Sequence, residues 1–249
     1  MPFDTAASRL TEALELDLPP VALAFLDEPP AEIPAGINVA ATPVPSACTF
    51  WRRAEHELVY ASADAHRHCP IGAFVMGFEL PPDLEQELGG LIAGIIGNGY
   101  ISADEPARLP RPVFARKGIL YGPLATFPVE PDAVLIWMSP AQAMIWSEAS
   151  GGAAWGSPVP ATAFGRPACA AVPAGMNAGR PVLSLGCAGM RTFTGIAPDR
   201  MLAVAPGRLI GELADAVAAS ATLNDEMRHY YEGRRAAVAD LPGPGRDRA

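Results

Sequence analysis

Cys48, Cys69, Cys169 and Cys187 are the cysteines of this 249-residue chain, and thiolate is the side-chain ligand that soft metal ions and iron–sulfur clusters select. The first two are 21 positions apart and the last two 18. Cys69 leads into Pro70-Ile71-Gly72-Ala73 and Cys187 into Ala188-Gly189-Met190-Arg191, where loop enters a predicted helix. Free backbone N–H groups and the helix dipole stabilise thiolate at such a start. Cys48 and Cys169 each follow a proline-containing turn, Pro45-Ser46-Ala47 and Arg166-Pro167-Ala168. Four thiolates converging from two parts of the chain can hold a [4Fe-4S] cluster, one cysteine per iron, or a tetrahedral zinc ion. A thiolate-ligated haem, a thiol redox couple and four separate buried thiols are the other readings. No close Cys-x2–4-Cys pair exists here, so dispersed ligands suit a cluster between lobes better than a zinc knuckle.

Other residues carry chemistry of their own. His66 and His68 precede Cys69 and are candidates either to replace a cysteine ligand or to move protons beside it; solvent exposure or capping is the structural alternative. Arg191, four residues after Cys187, is placed to hold the carboxylate or phosphate of a small anionic molecule, with an ion pair to Asp199 or Glu212 as the alternative. The chain contains no Gly-x-Ser-x-Gly, His-Glu-x-x-His or P-loop pattern, so the common hydrolase, zincin and phosphate-loop signals are missing. Trp137, Trp146 and Trp155 are expected in the core.

Hydrophobic periodicity predicts the elements that must position these groups. Leu10, Ala13 and Leu14 share one face of an opening helix, ended by Pro19-Pro20. Val21 to Leu26, Leu58 to Tyr60, Ala133 to Met138, Val182 to Leu185 and Met201 to Val204 read as strands, and Val113 to Leu120 as a strand pair. Helices are expected from Pro82 to Gly94, Pro140 to Ser147, Gly207 to Ser220 and Asn224 to Val238, with a frayed tail from Asp240.

The two halves also echo each other. Each cysteine at a helix start is followed eight residues later by glycine, Gly77 and Gly195; Pro82-Asp83 matches Pro198-Asp199, each before a helix, and Pro20-Val21 matches Pro131-Asp132-Ala133. An internal duplication accounts for this order, with coincidence in a chain rich in glycine and proline as the alternative. The expected fold is mixed α/β, with two pseudo-duplicated lobes forming one compact unit: residues 1–112, residues 113–239 and a tail over 240–249.

Composition excludes several partners. Half the residues are hydrophobic and 18% charged, which excludes a disordered chain. A net charge of −9 argues against a phosphate-tracking, nucleic-acid-binding surface. The longest apolar run, Leu91 to Ile101, is short and broken by glycines, so no membrane span is expected. The N-terminus lacks the basic and apolar regions of a secretory signal. A cytoplasmic location with reduced thiols is the expectation.

Read together, Pro20-Val21-Ala22-Leu23, His68-Cys69-Pro70-Ile71-Gly72-Ala73, Pro140-Ala141-Gln142-Ala143-Met144, Gly165-Arg166-Pro167-Ala168-Cys169 and Leu183-Ser184-Leu185-Gly186-Cys187-Ala188-Gly189-Met190-Arg191 resemble a prokaryotic family called domain of unknown function 169. The resemblance spans Leu14 to Ala219 and implies that the four cysteines are family features; it confers no activity. The expectation is a cysteine-ligated metalloprotein, an iron–sulfur oxidoreductase or lyase with its cluster between two lobes. A non-catalytic sensor or small-molecule-binding module with structural cysteines or zinc is the alternative.

Overall fold

Alternation along the strands decides the layering. In β1 (Val21–Leu26), Val21, Leu23 and Phe25 enter one core while Ala22 and Ala24 enter the other, as period-two side chains on a sheet covered on both faces must. The same split holds in β4 (Gly118–Pro123), β5 (Ala133–Met138) and β8 (Met201–Pro206). The structure, a computed structural model, describes residues 3–31, 36–151 and 163–238. Trp155 and the expected tail from Asp240 lie outside the described residues.

β2 (Asn38–Val39), β3 (Val59–Ser62), β6 (Ala163–Phe164) and β7 (Val182–Ser184) complete one mixed sheet of eight strands, ordered β2-β3-β4-β1-β5-β8-β7-β6. One face is covered by α1 (Asp4–Leu14), α5 (Pro140–Ala149) and α8 (Ile210–Ala237). The other carries α2 (Thr49–Arg53), α3 (Pro70–Val75), α6 (Ala171–Ala178) and α7 (Ala188–Thr194), together with the start of α4 (Pro82–Gly97). Cys48, Cys169 and Cys187 all belong to this second layer.

The strand order reads the same from either edge. Counting outward from the centre gives β1, β4, β3, β2 on one side and β5, β8, β7, β6 on the other. Val21 pairs with Leu135, Ala22 with Val134 and Leu23 with Ala133, which relates Val21 to Ala133 about an axis through the Ala22–Val134 pair. Registers agree with that relation: Val21 faces Pro123 as Ala133 faces Pro206, and Val59 faces Tyr121 as Val182 faces Val204. After the fourth strand of each half the chain turns tightly, Leu124 N–H donating to Pro20 O at 2.8 Å and Gly207 N–H to Asp132 O at 2.9 Å. The halves therefore lie side by side in one sheet, joined by β1–β5 hydrogen bonds, rather than facing each other as separate lobes.

Several expectations are corrected. The two C-terminal helices are one, α8, because the alanine-rich stretch from Ala214 to Ala221 has no breaker, and Thr222 Oγ1 and Asn224 Nδ2 bond the carbonyls of Ala218 and Ser220 four residues back. Val113 to Leu120 is not a strand pair; β4 begins at Gly118. β4 pairs with β1 and β3, so the strands group as β1–β4 and β5–β8. Pro198-Asp199 precedes β8, not a helix. Trp137 and Trp146 are buried, as expected. Among the described residues no helix is long and apolar enough to cross a membrane.

Candidate metal centre

Cys69 and Cys187 occupy related places, each the N-cap of a short helix laid on the same face of the sheet. α3 and α7 end within eight residues at glycines with left-handed backbone, Gly77 (φ +90°) and Gly195 (φ +63°), which only glycine adopts without strain. The Cys187 sulfur accepts a hydrogen bond from Met190 N–H at 3.4 Å, so this side chain caps its helix. Cys69 is held against Gly72, where an added Cβ would meet the Cys69 sulfur at 2.7 Å and Ala47 Cβ at 2.8 Å. That contact keeps the Cys48 turn and the Cys69 helix close together. The Ser46 hydroxyl, two residues before Cys48, lies 3.9 Å from the Cys69 sulfur.

Cys48 and Cys169 are buried, Cys48 at the N-cap of α2 and Cys169 in the tight turn Ala168–Ala170 that opens α6. Burial pushes both thiols well above their ordinary range. Neighbouring cysteines push further: Cys69 and Cys187 act on Cys48, and Cys48, Cys69 and Cys187 act on Cys169. All four cysteines thus share one neighbourhood, two from each half of the sheet. All four are free thiols. Among the described residues, no three His, Cys, Asp or Glu side chains are grouped so as to hold a metal ion.

The buried polar groups gather on this same face. Ser46, Glu55, His66 and Ser184 are the buried polar residues among those described. Ser46 lies beside Cys48 and Cys69, and Ser184 Oγ accepts from Gly186 N–H at 3.1 Å, just before Cys187. Glu55, on the turn after α2, pairs with Arg52, and burial raises its carboxyl despite that arginine. Thr49 Oγ1 and Trp137 Nε1 are buried without a hydrogen-bond partner. Such groups cost stability and concentrate where a structure serves something other than packing.

His66 is fully buried, contrary to an exposed or capping role. Its Nδ1 lies 2.7 Å from Ser62 O and its Nε2 lies 3.3 Å from Tyr121 Oη. A carbonyl only accepts, so Nδ1 carries the proton and Nε2 accepts from the tyrosine hydroxyl. With both nitrogens engaged, His66 is not placed as a ligand; its contact with the cysteines runs through Tyr121, whose hydroxyl is pushed well above its usual range by burial and then by Cys48, Cys169 and Cys69. His68 is exposed. Arg191 does not face an open anion site either. Its terminal nitrogens donate to four carbonyls, Ala197 and Pro198 at 3.3 Å, Leu185 at 2.8 Å and Arg200 at 3.0 Å, so it ties together the loops flanking α7.

Burial lowers the His66 pKa to about 4, and a pH dependence follows. The unfolded chain takes up this proton near pH 6.5 and the folded chain only near 4, so stability is unaffected above 6.5 and falls as pH drops between those values. The full loss is about 3 kcal/mol. Urea midpoints measured from pH 7.5 to 4 should fall for the native chain, and His66→Gln should flatten that slope; equal slopes in the two would remove the buried imidazole as the cause.

The family model for domain of unknown function 169, described as "Uncharacterised ArCR", matches residues 9–216. No curated protein and no solved structure matches.

Proposed function

The chain belongs to the domain of unknown function 169 family, and because that membership names no activity, we propose one from the site: the protein carries a [4Fe-4S] cluster on Cys48, Cys69, Cys169 and Cys187 and works as a redox protein. The observation that carries the reading is the gathering of two cysteines from each half onto one face of the sheet, within electrostatic reach of each other.

Three arguments favour a cluster over the alternatives. A single zinc ion at about 2.3 Å from each sulfur needs thiolates roughly 3.8 Å apart, whereas a cluster of four irons takes one cysteine per iron and suits ligands that come from four separate elements. Cys48 and Cys169 stay protonated when alone in their buried setting, whereas a cationic centre offsets their charge and releases the protons. Hydrogen bonds toward the sulfurs come from Met190 N–H and Ser46, the kind of contact that sets a cluster's potential.

When bound, the cluster supplies one-electron chemistry. The chain's own part is to hold four ligands, leaving no iron position open to a substrate, which favours electron transfer over lyase chemistry. The arginine clasp at Arg191 agrees, since it presents no anion-binding group. The shared strand order of the two halves supports an internal duplication as the site's origin. Four free thiols also suit a reducing, cytoplasmic compartment.

Anaerobic reconstitution with iron and sulfide tests the reading. The expected product is brown and loses its visible absorption on reduction with dithionite, regaining it on oxidation. A folded, colourless product with all four thiols still titratable would favour a sensor or binding module with structural cysteines instead.

A further inference from the structure

The last three turns of α8 bury no described side chain, although Met227, Arg228 and Tyr231 border a groove with α1 and α5. From Asp225 to Arg235 every residue is exposed, although the first half of the helix buries Leu213, Ala214 and Val217 against α1 and α5. The outward face is nevertheless apolar: Ala216, Ala219, Leu223, Met227 and Tyr230 recur every three or four residues, one stripe of a 3.6-residue helix. Leu223 is 61% exposed, Met227 49% and Tyr230 57%. An unpacked helical end of this length is marginal in water, and Gly233 within it weakens it further. Its persistence to Ala237 calls for a covering surface.

We propose that this face is covered by α8 of a second copy of the chain, packed antiparallel about an axis near Tyr230. Charge selects the occupant and its direction. Arg234 continues the apolar stripe one turn beyond Tyr230, and among the described residues neither Arg234 nor Glu226 has an ion-pair partner. Antiparallel pairing about Tyr230 sets Arg234 opposite Glu226 of the second copy, twice; parallel pairing sets arginine against arginine, which repels. The same arrangement puts Leu223 opposite the small Ala237. The segment from Leu223 to Val238 balances Asp225, Glu226 and Glu232 against Arg228, Arg234 and Arg235, so two copies of a chain with net charge −9 meet here without net repulsion. That neutrality also disfavours an anionic membrane, which attracts basic amphipathic helices.

Sedimentation equilibrium of the full chain tests this independently of any metal. The native protein should be a dimer at about 50 µM. Arg234→Glu should weaken the dimer by about tenfold or more, and Glu226→Arg combined with Arg234→Glu should restore it, because the reversed pair attracts again. Both residues are exposed, so the fold is untouched. A monomer at that concentration would overturn the proposal, as would a dimer indifferent to both charge reversals. Binding of a monomeric chain to phosphatidylcholine–phosphatidylglycerol vesicles, lost on Leu223→Asp, would replace the second copy with a lipid surface.

Discussion

Changing any one of Cys48, Cys69, Cys169 and Cys187 to serine should reduce bound iron to less than about a tenth of the native content, and a double substitution should do no further harm. On the proposed reading the four cysteines act as one unit. Each sits on its own element, the turn before α2, the start of α3, the turn before α6 and the start of α7, and these elements belong to different halves of the sheet. Loss of one thiolate leaves an iron without its ligand, and the remaining three cannot close around it. The apo chain should stay folded, because the two buried thiols are neutral without metal and Ser differs from Cys by a single atom. Metal content by mass spectrometry, with circular dichroism as the folding control, checks this. Four single variants that each retain full iron would mean that the cysteines are separate buried thiols.

Gly207→Ala should destabilise the fold by about 3 kcal/mol or more, through overlap in a place that cannot relax. A Cβ at this position would stand 1.7 Å from Pro131 O and 2.5 Å from Pro131 C, both backbone atoms. Gly207 N–H also donates to Asp132 O, so moving the turn away breaks the hydrogen bond that sets β8 against β5. The related turn in the other half has Leu124, whose side chain is buried. The two halves share their strand order here but not their steric demand. Denaturant midpoints of Gly207→Ala and of Gly211→Ala, where a Cβ meets nothing within 4 Å, should differ by that amount. Equal midpoints would show that the turn is loose.

Much of the fold was legible because strands and helix starts leave local signals. β1, β5 and β8 are apolar runs bounded by proline or turn residues, and the glycines eight residues after Cys69 and Cys187 mark true helix ends. The four cysteines stood out by residue type alone. What the sequence hid is partner choice. Tyr121 lies in an apolar strand and looks like any core aromatic until β4 is seen to turn it toward His66 and the cysteines. Ser46 is two residues from Cys48 and reads as turn chemistry. The histidines beside Cys69 were visible, yet their fates differ because the turn over Asp64–His66 rotates His66 inward and leaves His68 outside. Arg191 misled for a similar reason: a guanidinium near a helix start suggests an anion, but loop carbonyls of Leu185, Ala197, Pro198 and Arg200 reach it first. The continuity of α8 was missed because Asn224 looks like a helix start, while its side chain instead bonds back to Ser220 O and across to Glu148.

Iron and acid-labile sulfide, counted per chain in protein purified without oxygen, test the central claim most directly. The expected result is about four of each, falling together when any cysteine is replaced. Folded protein holding neither, or holding a single zinc ion per chain, would contradict it.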